Sequence, residues 1–184
     1  MEFKSGDEAV HPGYGLGNIV RLEEREMAGA AKCWYYVLAM KNTTIWVPVC
    51  ADGSNILRAV TAKRELDQYR TLLKSRPARL EHDSNKRRLE VNQHLKPGSF
   101  RVMCEGVRDL TACGWYRPLG EIDTNLLQKV RDNLRREWAA ASGLSMPEAI
   151  LEVDALLQAG REAYKSQTLP AAATPRPRSR IASV

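Results

Sequence analysis

The sequence holds little of the material from which metal sites, redox centres and membrane anchors are made. Its 184 residues include four cysteines (Cys33, Cys50, Cys104, Cys113) and three histidines (His11, His82, His94). No two cysteines form a Cys-x-x-Cys pair, and no histidine stands at zinc-ligand spacing from a second ligand type, so neither a metal site nor a cysteine nucleophile with its base is indicated. Thiols scattered in this way read as reduced, small and half-buried. No apolar run approaches the roughly 18 residues a membrane span requires. The start, "MEFKSGDEAV", lacks the basic and apolar regions of a secretory signal, so a cytoplasmic location with no membrane partner is expected. Paired carboxylates and nucleophile–base arrangements are also missing; no cofactor is implied and no enzymatic activity is expected.

One stretch could reverse that conclusion. "HPGYGLGNIVRLEERE" (11–26) places glycines at 13, 15 and 17 ahead of an apolar and charged run. A phosphate-binding glycine loop works because it opens a helix, whose first amides and dipole hold the anion. Here the glycines lead into a strand-like run, with no Lys-Ser/Thr pair following. They are read as a tight turn in which glycine supplies positive φ and Pro12 fixes the entry.

What the sequence does have is uneven positive charge. The net formal charge is +6. Residues 1–61 carry a net −1, residues 62–110 a net +5, residues 111–160 a net −2 and residues 161–184 a net +4. A basic block confined to one internal region is the footprint of a polyanion partner or of a solvated helix face.

The hydrophobic pattern changes character at the same place. From Glu8 to about Arg58 the chain reads as four or five short strands, "NIVRLEERE", "KCWYYVLAM" and "TTIWVPV" among them, with turns at 12–13, 27–30 and 41–42. Such spacing, without helical pattern, gives a small twisted sheet or barrel. After Thr61 the period becomes helical. Helices are expected over 62–74, 84–95, 99–113, 121–142 and 145–158. The fourth repeats Ile122, Leu126, Val130, Leu134 and Trp138 and stops at Gly143; the fifth opens with Ser145 and Glu148 as a capping box. Trp115 falls in a turn-like "CGWYRPLG" and is read as packing. The fold class is therefore α+β, a small β domain over 1–60 followed by an all-α bundle of about five helices over 61–162. The Pro- and Arg-rich tail, 163–184, is expected to be disordered.

Ordered along the chain, "FKSGDEAVHPGYGLGNIV" (3–20), "YYVL" (35–38), "IWVPV" (45–49), "VRDL" (107–110) and "LLQKVRDNL" (126–134) resemble the CarD/CdnL family of bacterial RNA-polymerase-binding transcription regulators. The first half is also similar to the polymerase-interacting module of transcription-repair coupling factors. The resemblance implies that the N-terminal part is a Tudor-like, SH3-like sheet that docks on the RNA polymerase β subunit. It implies that the helical part meets promoter DNA at the upstream edge of the transcription bubble. It places Arg25 and Trp46 at the polymerase interface. Independently of the family, tryptophan and arginine are the types most often found as interface hot spots.

In the helical part, Asn85, Lys86, Arg87 and Arg88 open a helix within the basic block and are expected to contact DNA, the three cations through phosphates. The sequence departs from the family at one position. Where the family carries a tryptophan that wedges into the minor groove, this chain has Ser84 or Asn85. The sequence thus predicts a regulator of open-complex stability. Its alternative is a polymerase-binding adaptor that recruits another factor without a DNA wedge. A monomer is expected.

Overall fold

The computed structural model describes residues 2–26, 32–49 and 56–168. Five strands come first: β1 (Glu8–His11), β2 (Gly15–Arg25), β3 (Cys33–Ala39), β4 (Thr44–Pro48) and β5 (Arg58–Ala59). They form one antiparallel sheet in the order β4-β3-β2-β1-β5. Among the described residues neither β4 nor β5 has a second strand neighbour, so the sheet is open there where a barrel would be closed. The turn expected at 27–30 lies outside the described residues.

The glycine-rich stretch is a hairpin. His11 pairs with Gly15, the Tyr14 amide donates to the His11 carbonyl at 3.3 Å, and Gly15 has φ +88°. A three-residue loop closed by a left-handed residue is a common hairpin solution, and glycine adopts that conformation without strain. In β2 the register shifts between Ile19 and Arg21, which leaves Val20 as a bulge. Beyond it, Arg21, Glu23 and Arg25 alternate with Leu22 and Glu24 across the two faces. Ile19, Tyr36, Leu38 and Val47 pack with Phe3, Ala9 and Leu57 into a first apolar cluster.

A single 3-10 turn (Lys63–Glu65) leads into α1 (Leu66–Lys74), followed by α2 (Ser84–Leu95), α3 (Phe100–Tyr116), α4 (Glu121–Ser142) and α5 (Met146–Thr168). Asp83 caps α2 by accepting from the amides of Asn85 and Lys86, and Gly143 ends α4 at φ +77°, the left-handed cap expected there. Glu148 accepts from both the Ser145 amide (2.9 Å) and its hydroxyl (2.7 Å), and these bonds hold its carboxyl below the usual range. Two helices run longer than their apolar stripes indicated. Helix α3 takes in Trp115 and Tyr116, which had read as a turn, and α5 continues to Thr168. Residues 169–184, most of the expected tail, lie outside the described residues.

A second apolar cluster fills the bundle, with Leu66, Leu73, Val107, Leu134 and Trp138 among its most buried members. The Trp138 indole donates to Glu152 at 2.8 Å, which satisfies its polar atom at the edge of the core. Of the repeat expected on α4, Ile122 stays 57% exposed while Leu127 is buried instead. Burial also pushes the Cys104 thiol up, consistent with a core residue.

Sheet and bundle meet at a buried ion pair. Arg58 on β5 holds Glu137 of α4 through two bonds, Nη1 to Oε1 at 2.6 Å and Nη2 to Oε2 at 2.7 Å. Thr61 adds its amide (3.2 Å) and hydroxyl (2.8 Å) to the same carboxylate, and Glu137 is fully buried. Arg58 Nε also donates to the Gly98 carbonyl at 2.9 Å. Next to this pair the hairpin tip touches the bundle. A Cβ on Gly98 would lie 2.4 Å from Pro12 Cα, and one on Gly15 would lie 2.6 Å from Asn133 Oδ1. The glycine motif is therefore a contact between the two halves of the molecule.

Removing the cation from this arrangement strands a buried carboxylate. Arg58→Ala is expected to lower stability by about 3–5 kcal/mol, measured by urea denaturation. Arg58→Met combined with Glu137→Leu is expected to recover much of that loss, because an apolar pair leaves no uncompensated charge.

Candidate functional site

Two surfaces bring the expected residues together. The first lies on the sheet face opposite Tyr36 and Leu38. The pairing of Val37 with both Arg21 and Trp46, and of Tyr35 with Glu23, sets Arg21, Glu23, Arg25 and Trp46 on one face. Glu23 organises the group. It accepts from Arg25 Nε at 2.7 Å, from Arg21 Nη2 at 2.9 Å and from the Trp46 indole at 3.4 Å. The Arg25 guanidinium lies 4.5 Å from the Trp46 ring centre, a cation–π geometry. Trp46 remains 38% exposed.

Exposed ion pairs contribute only about 0–1 kcal/mol, so the importance of this cluster lies in shape. Arg25 and Trp46 are held against each other before any partner arrives, which lowers the ordering cost of binding. The sequence singled out Arg25 and Trp46 but passed over Arg21 and Glu23. The signal was present in the two-residue period of "RLEER" (21–25), which puts Arg21, Glu23 and Arg25 on one face once the bulge at Val20 is known.

The second surface is the start of α2. Ser84, Asn85 and Lys86 are exposed and Arg88 is half-buried. Arg87, expected among the phosphate contacts, faces inward. It is 4% exposed, bonds Asp123 through Nε (3.0 Å) and Nη2 (2.5 Å), and donates Nη1 to the carbonyls of Glu81 and His82. Three consecutive helical positions spread over about 200° of the helix, so they cannot all face the same way, and the middle cation finds a carboxylate on α4. Arg87 is thus a structural residue that ties the start of α2 to the start of α4. Between these two starts runs a groove of about 300 Å³ lined by Ser84, Asn85, Arg88 and residues 120–123, and the exposed Ile122 lies in it. The positions where the wedge would stand therefore carry only small polar side chains, above a shallow groove.

The basic block also divides. Arg70, Arg87, Arg101 and Arg108 are engaged in ion pairs with Glu152 and Asp67, Asp123, Glu105 and Asp109 respectively. The exposed positive charge concentrates along 74–88, where Lys74, Arg76, Arg79 and Lys86 are all exposed.

Surfaces built in this way, with preorganised arginine and tryptophan on a sheet and cations at a helix start, recognise other macromolecules. The sheet belongs to a known group: residues 3–60 match the CarD-like/TRCF RID domain, a domain that interacts with RNA polymerase. The match covers the sheet and not the helices, and it agrees with the sequence resemblance. YdeB of Bacillus subtilis (strain 168), named as a candidate transcription factor, is 26% identical over 152 residues that span 78% of this chain and 94% of that protein. The similarity therefore extends beyond the sheet into the helices. No helix among the described residues is long and apolar enough to cross a membrane.

The Glu23 carboxyl is held down to about 2, first by its bond from Arg25 and then by those from Trp46 and Arg21. A folded-state value below the ordinary one means that the contribution of the cluster is complete above the usual carboxylate range and is lost only as the pH falls through the depressed value. In Arg25→Ala the Glu23 midpoint is expected to move upward toward the ordinary value of 4.5, as followed by NMR of the side-chain carboxyl. An unchanged midpoint would show that Arg25 does not hold the cluster.

Proposed function

We propose that this chain regulates transcription initiation by docking its β2–β4 face on the β subunit of RNA polymerase while the start of α2 contacts promoter DNA at the upstream edge of the bubble. The observation that carries the reading is the Arg25–Glu23–Trp46 cluster, preorganised on a sheet of the polymerase-interacting family. Arg25 and Trp46 are the docking residues. Lys86 and Arg88 meet phosphates, which fix position and affinity without reading sequence, and Asn85 hydrogen-bonds to a groove edge or backbone. The protein works by binding in the cytoplasm, alongside polymerase, and not by turnover.

Open-complex stability changes in this reading because one body holds polymerase and DNA together. A protein that binds the open form better than the closed form shifts the equilibrium by its differential affinity. The small side chains at Ser84 and Asn85 favour a second reading, an adaptor that docks on polymerase and recruits another factor without gripping the DNA. The exposed charge at 74–88 favours the first.

Open-complex lifetime on a bacterial promoter with matched polymerase separates the two. The wild type is expected to lengthen the lifetime. Arg25→Glu is expected to abolish the effect by removing docking, and Lys86→Ala combined with Arg88→Ala to reduce it with a shallower salt dependence. Polymerase binding without any change in lifetime would select the adaptor.

A further inference from the structure

One concavity in the bundle lies off the sheet face and beside the start of α2. It measures about 550 Å³ and opens between the α1–α2 linker and the C-terminal ends of α3 and α5. Cations come from the linker and from just beyond α3: Arg79 and Arg117 line it beside His82, and Arg76 stands at its rim with its guanidinium 5.8 Å from the Tyr164 ring. Aromatics come from the helix ends. Tyr116 is 68% exposed, and its ring meets that of Tyr164 edge-on at 6.3 Å. Trp115 lies 6.3 Å behind Tyr164, with Arg161 packed over it at 5.7 Å.

The cleft contains one acid, Asp109, and it is neutralised. Arg108 holds it at 2.7 and 3.2 Å and the Ala78 amide donates to it at 2.9 Å. What remains facing outward is positive. The Tyr164 hydroxyl is drawn below its usual range first by its bond with Tyr116 and further by Arg76 and Arg79, consistent with two guanidiniums converging on the tyrosine pair. An exposed phenol ring flanked by exposed guanidiniums does nothing for the core. It is the pairing of a stacking platform with a phosphate clamp found in single-strand binding sites.

The cleft is also continuous with the DNA-facing helix start. Arg117 donates to the His82 carbonyl at 3.1 Å, and the same carbonyl accepts from Arg87 at 3.0 Å. His82, which lines the cleft, stands two residues before Ser84. Given the proposed DNA contact at the start of α2, on which this step rests, the polyanion nearest to hand is the strand released when the duplex opens.

We propose that the cleft between the α1–α2 linker and the ends of α3 and α5 is a binding site for single-stranded nucleic acid, with Arg76, Arg79 and Arg117 holding phosphates and Tyr116 stacking on a base. The chain then grips duplex at the start of α2 and single strand one linker away.

The test is fluorescence anisotropy of the full chain with a labelled single-stranded oligonucleotide of about 16 nucleotides, a length that covers one such site, and with a duplex of the same sequence. Single-strand affinity is expected to fall about ten-fold or more in Tyr116→Ala and to be retained in Tyr116→Phe, because the ring and not the hydroxyl stacks. Arg76→Ala with Arg79→Ala is expected to weaken single-strand binding and to flatten its log–log salt slope by about 1.4, two phosphate contacts at about 0.7 each. Duplex binding is expected to respond to Lys86→Ala with Arg88→Ala and not to the Tyr116 variants. Single-strand binding equal in wild type, Tyr116→Ala and Arg76→Ala/Arg79→Ala would overturn the cleft assignment and leave the duplex contact intact. Single-strand binding through the cleft, with duplex binding indifferent to Lys86 and Arg88, would overturn the α2 contact alone. Binding of neither probe, together with loss of polymerase affinity in the cleft variants, would assign the cleft to a protein partner and overturn the proposal.

Discussion

The architecture depends on a carboxylate with no access to water. Glu137 lies at zero exposure on α4, and it is tolerable there only because Arg58 and Thr61 together supply four hydrogen bonds. Burying an ion pair brings little net stability, since desolvation offsets most of the attraction. What such a pair contributes is definition. The bidentate geometry admits one orientation of the last strand against α4, and the hairpin tip at Pro12 and Gly15 settles into the groove that this orientation leaves. Sheet and bundle keep separate apolar clusters, and the polar pair between them decides how one sits on the other.

The same division of labour recurs at smaller scale. Arg87 and Asp123 form a second buried pair, and again the outcome is placement, with the start of α2 tied to the start of α4. On the sheet the pattern reverses. Glu23 gathers Arg21, Arg25 and Trp46 at the surface, where the attraction is weak but the arrangement is on show. Charges in this molecule are thus used inward to fix elements and outward to present them, and sequence position alone does not distinguish the two uses.

That is also the boundary of what could be read beforehand. The periods of two and 3.6 located the longer strands and the five helices, though not the two-residue β5, and α2 and α4 fall on their expected limits; Gly143 is a local stop signal that tertiary packing does not override. Helix α3 ran past its expected end because "CGWY" looks like a turn in isolation, yet Tyr116 and Trp115 find partners on α5, far away in sequence. Arg25 and Trp46 were each singled out through family resemblance, but not their contact with one another. Glu23, which holds them, needed the bulge at Val20 to set the register. The inward course of Arg87 was invisible for a simple reason: its partner, Asp123, is 36 residues away. A run of three cations gives no hint of which one a distant acid will claim.

The short link between the two halves has a mechanical meaning. After Arg58 the chain has only Ala59 to Ala62 before the first helical turn at Lys63, and Arg58 and Thr61 are both pinned to the same carboxylate. There is no slack. The sheet face and the helix starts are therefore held at a set span by a short, doubly anchored link. On the proposed two-contact reading, such a body would measure as well as hold, engaging two partners together only when they present their own surfaces at the matching separation.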